Sequence, residues 1–174
     1  MGIVKTVIMK ARKLSLSDFE KWNKVRTEAL DFEPMAFGRS NADEEAHREQ
    51  LFKNNVDRDD RFIIGLFDGE ELIAIGGFYR HEPIKSFHKG TVWSVFVKPE
   101  YQGKGIGRKL MEAVLSEARL MGGLESILIG VSSNNPPAIN LYQNLGFIEY
   151  GREPNCLKHD GKYVDEILMR MAVD

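Results

Sequence analysis

The stretch from Val92 to Glu117 reads V-W-S-V-F-V-K-P-E-Y-Q-G-K-G-I-G-R-K-L-M-E-A-V-L-S-E. Its first residues are almost continuously apolar, which is typical of a buried strand, and Pro99 closes the run because proline cannot donate to a sheet ladder. A glycine-rich turn over 102–107 follows, and then a long helical pattern. Glycines allow successive backbone N–H groups to face one ligand, and a helix dipole favours negative charge at its N-terminus. The stretch therefore predicts a strand, a turn and a helix that hold a phosphate or pyrophosphate group.

Several glycine-rich motifs compete for this turn. The nucleotide-triphosphate loop, G-x-x-x-x-G-K-[S/T], does not fit, because no Lys-Ser or Lys-Thr follows the glycines. The dinucleotide fingerprint, G-x-G-x-x-G, fails as well. Counted from Gly103 its third glycine falls on Arg108, and counted from Gly105 it falls on Leu110. The pattern that remains is Q-x-x-G-x-G over 102–107.

A second pattern lies further along the chain. Ser126 to Ile129 reads as another short buried strand, and the residues over 135–147 follow the spacing N-x-x-A-x-x-L-Y-x-x-x-G-F. Together the two patterns resemble motifs A and B of the GNAT superfamily of N-acetyltransferases, which bind the pyrophosphate of acetyl-CoA at the glycine turn. The resemblance implies an α/β, GNAT-like fold, in which a mixed central sheet with splayed central strands is flanked by helices. It also implies transfer of an acetyl group from acetyl-CoA, as cosubstrate, to an amine.

Composition limits the class of protein. A length of 174 residues predicts one domain over 1–174, and 43% hydrophobic with 29% charged residues is an ordinary globular balance. The net charge of -2 argues against a nucleic-acid partner. No apolar run approaches the roughly 18 residues of a membrane span, and the lone Cys156 excludes an intramolecular disulfide framework. We therefore expect a cytoplasmic enzyme with no membrane partner.

Hydrophobic periodicity predicts the element order β-α-α-β-β-β-α-β-α-β-β. The first helix is expected to begin with Ser17 as its N-cap and Glu20 at the capping-box spacing. Asp68-Gly69 between two apolar runs indicates a hairpin. The other predicted elements are strands over 7–13, 62–67, 71–79, 126–129 and 163–172, a polar helix over 44–54, and a helix over 105–121 whose buried face is Ile106, Leu110, Val114, Ala118 and Met121.

The resemblance assigns the cofactor to particular positions. The free backbone at the end of the Val92 strand would pair with the pantetheine amides as an added strand does, and the N–H of Val97 would polarise the acetyl carbonyl. Asn135 would contact the cofactor arm, although Asn before Pro136 is also a typical helix N-cap. The predicted cofactor-binding set is Val95, Phe96, Val97, Gln102, Gly103, Lys104, Gly105, Ile106, Gly107, Arg108 and Asn135, with no metal ligand.

The catalytic groups are only partly indicated. Tyr142 is the predicted general acid, because a phenol can return a proton to a departing thiolate. Its position also suits a core aromatic residue. No carboxylate lies on the strand over 91–95, so the general base stays open between bulk solvent and a water chain ordered by Ser94, His81, Glu82 or His88. We do not expect Cys156 to form an acyl-enzyme, since the resemblance implies direct transfer in a ternary complex.

The acceptor is expected to be a primary amine of a small molecule or of a protein. Its site is expected on the first two helices and their loop, and on a loop near Pro154 to Asp160. Trp22, Arg26, Glu33, Phe37 and Arg39 are the candidate lining residues. A non-catalytic acetyl-CoA-binding sensor is the alternative, because the strand carboxylate found in many family members is absent. A homodimer is a further expectation, since the family often pairs through its C-terminal strands.

Overall fold

The computed structural model describes residues 9–173, in which all strands form one sheet. The strands are β1 (Met9–Lys13), β2 (Arg61–Asp68), β3 (Glu71–Arg80), β4 (Lys89–Val97), β5 (Ser126–Ser132), β6 (Ile148–His159) and β7 (Lys162–Ala172). Their spatial order is β1-β2-β3-β4-β5-β7-β6, and only the pairing of β4 with β5 is parallel. The predicted mixed α/β sheet is confirmed. The predicted first strand began at Val7, which lies outside the described residues.

Helices cover both faces of this sheet. They are α1 (Phe19–Phe32), α2 (Asn41–Glu44), α3 (Arg48–Lys53), α4 (Ile106–Arg119) and α5 (Pro136–Asn144). One apolar core lies between the sheet and the pair α4 and α5, and a second lies between the sheet and the segments α1 and α3. On α4 the predicted face is correct, because Ile106, Leu110, Val114 and Ala118 are buried and Met121, beyond the helix end, is half-buried.

The two central strands separate along their length. β4 and β5 are paired only where Lys89–Thr91 meets Ser126–Leu128. Beyond that point β4 carries a bulge against β3, between Ile75 and Gly77, and Ser94 adopts a φ of 57°. A bulge bends its strand and increases the local twist. A gap therefore opens between the C-terminal parts of β4 and β5, as the fold prediction requires.

Two local predictions are wrong. A short 3₁₀ turn, Leu16–Asp18, precedes α1, and its cap is Ser15 rather than Ser17. The N–H of Ser15 donates to Asp18 Oδ2 at 2.9 Å, and Arg12 of β1 holds the same carboxylate at 2.7 Å. The turn therefore begins two residues before the predicted cap. The ion pair with Arg12 of β1 stabilises it there, and the capping-box spacing alone could not predict that contact.

The predicted helix over 44–54 is divided into α2 and α3, with a turn over 45–47. A polar segment of this length has little helical stability of its own, so tertiary contacts decide its path. Glu44 is bound by Arg26 of α1, while Phe52 fills the core beside Trp22 at a ring distance of 4.9 Å. These contacts hold the two ends of the segment separately. The Asp68-Gly69 hairpin is confirmed, with Gly69 at a φ of 58°.

Candidate active site

The glycine turn leads from β4 into the N-terminus of α4. Gly103 and Gly105 have φ values of 71° and 74°, conformations that side-chain-bearing residues rarely adopt. Lys109 N–H bonds to the Gly105 carbonyl at 3.2 Å, so the amides that precede it at the helix start have no helical partner. Nothing lies within 4 Å of a Cβ placed on either Gly103 or Gly105. The turn thus presents free N–H groups to open space, which suits a pyrophosphate.

Gly107 has a different reason to be glycine. A Cβ at this position would lie 3.2 Å from Leu141 Cδ2 of α5, tighter than most carbon contacts. Gly107 therefore lets α4 approach α5 closely. Its neighbour Ile106 is buried in the core, so its side chain anchors the turn and leaves only its backbone for a ligand.

The free edge of β4 faces the gap. Lys98 N–H bonds to Ile73 O of β3 at 3.0 Å. Because successive residues of a strand point their N–H groups to opposite edges, the N–H of Val97 faces away from β3 and into the gap. Gln102 Nε2 donates to Val97 O at 3.0 Å, which ties the turn to the strand end. Val95 lies on the same unpaired part of β4. By the same alternation the N–H of Phe96 points to its partner Ile75 on β3, and the Phe96 side chain is buried.

The basic side chains of the turn are directed to nearby protein groups. Lys104 Nζ donates to the Glu100 carbonyl at 2.8 Å, and Arg108 Nε pairs with Glu112 at 2.8 Å on the exposed face of α4. Asn135 is the N-cap of α5, where its Oδ1 accepts from the Ala138 N–H at 3.2 Å. The capping role predicted for Asn135 is confirmed, and its contact with a cofactor stays a prediction.

Tyr142 lies on the buried face of α5, and its ring meets Phe147 edge-on at 6.0 Å. Burial raises the pKa of the phenol well above its usual value, and the negative charge of Glu33 at the end of α1 raises it further. Burial likewise raises the pKa of Glu33. The phenol is therefore protonated at every physiological pH, as a hydrogen-bond donor must be.

A cavity of about 710 Å³ lies between the sheet and the segments α1 to α3, on the face opposite α4 and α5. Of the predicted acceptor-side residues it includes Arg26, Phe37 and Arg39, but Trp22 is fully buried in the core and Glu33 lies outside the lining. The cavity is lined by Arg26, Ala36, Phe37, Gly38, Arg39, Glu44, His47, Gln50, Leu51, Asn54, Thr91, Val92, Trp93, Ser94, Gly130 and Glu166.

An ion-pair cluster joins the helical wall of this cavity to β4. Arg26 contacts Glu44 through Nε and Nη2 at 3.0 and 2.5 Å, and both side chains are buried. Arg48 lies 3.6 Å from the same carboxylate. The remaining donor of Arg26, Nη1, reaches Ser94 Oγ at 2.9 Å. Glu44 is thus neutralised within the cluster, and the bulge residue of β4 is fixed to α1.

The candidates for a general base fall in different places. Ser94 lines the cavity, but its hydroxyl already accepts from Arg26. His81 bonds to Thr91 Oγ1 at 2.8 Å near the start of β4, and burial followed by the charge of Lys89 lowers its pKa. Glu82 pairs with Arg61 at 2.5 Å. Neither His81, Glu82 nor His88 belongs to the cavity lining.

Sequence reasoning missed both carboxylates of the cavity lining, Glu44 and Glu166, of which Glu166 lies on β7. It faces Ser132 across the β5–β7 pair, and its Oε2 accepts from the Cys156 thiol at 3.7 Å. Burial and the charges of Glu166 and Glu153 raise the pKa of Cys156 to about 11, which keeps that thiol protonated and poorly nucleophilic. Glu166 is distant in sequence from both motifs, so only the strand order of the sheet could have indicated it.

None of the helices within residues 9–173 is both long and apolar enough to span a membrane.

A profile of the Acetyltransferase (GNAT) family matches residues 22–147. The chain is similar to an L-amino acid N-acyltransferase of Escherichia coli, with 36% identity over 47% of this chain and 46% of that protein, so this match spans about half of each. It is also 32% identical to a spermidine N(1)-acetyltransferase of Vibrio cholerae, over 67% of this chain and 66% of the relative.

Solved structures share the fold. A GNAT-family acetyltransferase of Streptococcus pneumoniae superposes with a TM-score of 0.83 at 18% identity, covering 95% of this chain and 100% of that one. An acetyltransferase of Salmonella typhimurium, solved with its cofactor acetyl-CoA, gives a TM-score of 0.74 at 23% identity over 95% and 94% of the two chains. At such identities the likeness concerns the fold alone. From the profile and the curated relatives, the chain belongs to the GNAT family of acetyltransferases, enzymes that transfer the acetyl group of acetyl-CoA to an amine.

Proposed function

We propose that this chain transfers an acetyl group from acetyl-CoA to the primary amine of a small molecule, by direct attack in a ternary complex. The observation that carries the proposal is the gap between β4 and β5. The glycine turn leads into α4, and Tyr142 lies in the core on the α4 and α5 face of the sheet, whereas the 710 Å³ cavity lies on the opposite face. A thioester held in the gap would meet an amine that enters from the cavity.

The cofactor would be held mainly by backbone groups. The amides over 103–107 would receive the pyrophosphate at the N-terminus of α4. The unpaired edge of β4 at Val95 and Val97 would pair with the pantetheine arm. Lys104 and Arg108 are already bonded to Glu100 and to a side chain of α4, so we assign them a smaller share of the binding energy.

Two groups would act on the reacting atoms. The N–H of Val97 faces the gap and would donate to the thioester oxygen as negative charge develops on it. Tyr142 would donate to the sulfur atom of the leaving group. Because the pKa of the phenol is raised, complete proton transfer to a thiolate is unfavourable, and the role of Tyr142 is above all hydrogen-bond donation.

The charges of the cavity favour an acceptor that carries an anionic group beside its amine. Arg26 and Arg48 share the single carboxylate of Glu44, and Arg39 pairs with no acidic side chain of residues 9–173. A polyamine would bring further positive charge close to these arginines, whereas the carboxylate of an acceptor would be attracted to them. The name of the Escherichia coli relative supports an amino acid, and that of the Vibrio cholerae relative keeps spermidine as a competitor.

Two measurements test this proposal. Calorimetric titration with acetyl-CoA, with ATP and NAD as controls, should give binding for acetyl-CoA alone. At 100 times Kd, bound acetyl-CoA should raise the free energy of unfolding by about 2.7 kcal/mol. Release of the CoA thiol should then be followed with the L-amino acids, spermidine, and a peptide with a free N-terminal alanine. Preferred turnover of an amino acid is the expected result. Preferred turnover of spermidine or of the peptide would overturn the acceptor assignment.

A non-catalytic acetyl-CoA sensor is the second candidate, and the absence of a carboxylate over 91–95 of β4 favours it. Acetyl-CoA binding without thiol release above the rate of solution hydrolysis, for every amine of the panel, would support the sensor.

The homodimer also stays a prediction. Strand β6 is an edge strand of the sheet and exposes Ile148 and Tyr150, so light scattering should give a mass near twice the 19.8 kDa of the chain.

A further inference from the structure

We propose that Glu166 receives the amino group of the acceptor: its carboxylate binds the ammonium group and takes the proton that must leave before attack. This inference rests on the proposed function. It supplies, from β7, the carboxylate that β4 does not carry. Three observations support it. Glu166 lies beside the gap, it forms no ion pair within residues 9–173, and the other carboxylate of the cavity lining, Glu44, is occupied by arginines.

The sheet brings Glu166 to the gap. In the β5–β7 pair, Ser132 is opposite Glu166 and Gly130 is opposite Leu168. Residues two apart on a strand share a face, so Gly130 and Glu166 are diagonal neighbours on the cavity side. A methyl group at position 130 would lie 2.7 Å from Glu166 Cδ. The carboxylate therefore extends across β5 above Gly130, toward the edge at which β5 separates from β4.

Glu166 is the available negative charge of the cavity. The lining contains two carboxylates, Glu44 and Glu166. Glu44 is occupied by Arg26 and Arg48, whereas no basic side chain of residues 9–173 lies within ion-pair distance of Glu166. Its one side-chain partner in that range is the neutral thiol of Cys156 at 3.7 Å. An incoming ammonium group would therefore find one uncompensated carboxylate in the cavity, above Gly130 on the part of β5 that β4 does not pair with.

With Glu166 as the base, every proton and bond of the acetyl transfer is accounted for. The ammonium gives a proton to Glu166 and becomes a neutral amine, whose nitrogen then forms the C–N bond to the thioester carbon. The C–S bond breaks, and the second proton of the nitrogen passes to the departing sulfur, toward which the Tyr142 hydroxyl donates a hydrogen bond. Glu166 returns its proton to solvent. The products are the acetamide, CoA thiol and one released proton.

The test compares Glu166→Gln with wild type, using the panel amine that wild type turns over best. General-base catalysis is commonly worth about 10²–10⁴-fold, so we expect a loss of about 100-fold in kcat/KM at pH 7. The loss should shrink as pH rises toward the pKa of the amine, because solvent then supplies the neutral amine without a protein base. Affinity for acetyl-CoA and the melting temperature should change little.

Glu153→Gln is the matched control, because Glu153 belongs to the same local group as Cys156 and Glu166 but is exposed and outside the cavity lining. It should keep wild-type kinetics. A Glu166→Gln variant with unchanged kcat/KM, or with an equal loss at every pH, would overturn the assignment. Absence of turnover by wild type with all amines would instead contradict the proposed function, so the two failures can be distinguished.

Discussion

The Tyr142 hydroxyl is the smallest feature on which the proposed chemistry depends. In Tyr142→Phe only this oxygen is removed, from a buried position whose ring contacts remain available. We expect kcat to fall by about 100-fold, in the range usual for general acid–base groups, because the leaving sulfur loses its donor. Initial rates of thiol release, measured over a range of acetyl-CoA concentrations, give kcat and KM separately.

The binding control for this variant is a calorimetric titration with acetyl-CoA. It should give the wild-type Kd, because the proposed pyrophosphate and pantetheine contacts are backbone groups of other elements. The melting temperature should stay equal or rise, since a buried hydroxyl is replaced by an apolar ring edge. Turnover equal to wild type would show that Tyr142 is only a core aromatic residue.

At the scale of the element, the strand–turn–helix unit depends on the backbone conformation of Gly105. A φ of 74° costs a residue with a side chain roughly 1–2 kcal/mol, so Gly105→Ala should either strain the turn or move its amides. We expect stability to fall by about 1 kcal/mol and acetyl-CoA affinity to fall at least tenfold. Urea unfolding and calorimetric titration measure the two effects.

Gly122→Ala provides the matched control for the turn. Gly122 lies in the turn after α4, is not in the left-handed region, and has nothing within 4 Å of an added Cβ. It should therefore be neutral or slightly stabilising, through the lower entropy of the unfolded chain. Equal binding losses in the two variants would mean that glycine at position 105 has no particular role in holding the cofactor.

The connection between α1 and α2 depends on the buried carboxylate of Glu44. Glu44→Gln leaves Arg26 and Arg48 without a negative partner in a dry environment, and breaking a buried pair in this way costs about 3–5 kcal/mol. Glu112→Gln breaks the exposed pair with Arg108 and should cost less than about 1 kcal/mol. Urea unfolding compares them. Equal losses would indicate that water reaches the Glu44 cluster.

Among the elements, those with a strong local pattern were predictable. The buried face of α4, the Asp68-Gly69 hairpin and the glycine turn each depend on neighbouring residues, and all three form as expected. The division of the predicted helix over 44–54 depends on Glu44 meeting Arg26, a partner from another helix. Such a contact leaves no periodic trace in the sequence, and this is why the prediction failed there.

At the scale of the whole molecule, strand order limits what sequence can predict. The proposed cofactor side of the gap could be predicted from the motifs, because strand, turn and helix are consecutive in sequence. The acceptor side is assembled from segments distant in sequence, and β7 is inserted between β5 and β6. Glu166 reaches Gly130 only through that pairing. A list of candidate bases drawn from residues near the motifs could therefore not include it.

The dependence of stability on pH belongs to the whole molecule as well. The hydrogen bond from Arg12 lowers the pKa of Asp18 to about 2, against about 3.9 in an unfolded chain. Burial of Asp60 acts in the opposite direction, but hydrogen bonds from Arg61 and Arg58 outweigh it and lower that pKa to about 2. Acids with a depressed folded pKa contribute stability above their unfolded pKa and lose it as pH falls through the folded value.

We therefore expect the free energy of unfolding to fall between about pH 5 and pH 2, with Asp18, whose side chain is 7% exposed, contributing about 2 kcal/mol of the change. Asp18→Asn should be less stable than wild type by about this amount at pH 7 and should approach it only below about pH 2. Asp59→Asn is the control, because Asp59 is exposed and makes no ion pair with any side chain of residues 9–173. It should reproduce the wild-type pH dependence. Urea unfolding at each pH measures the difference, and a pH dependence unchanged in Asp18→Asn would show that the Arg12 pair is broken or fully hydrated in solution.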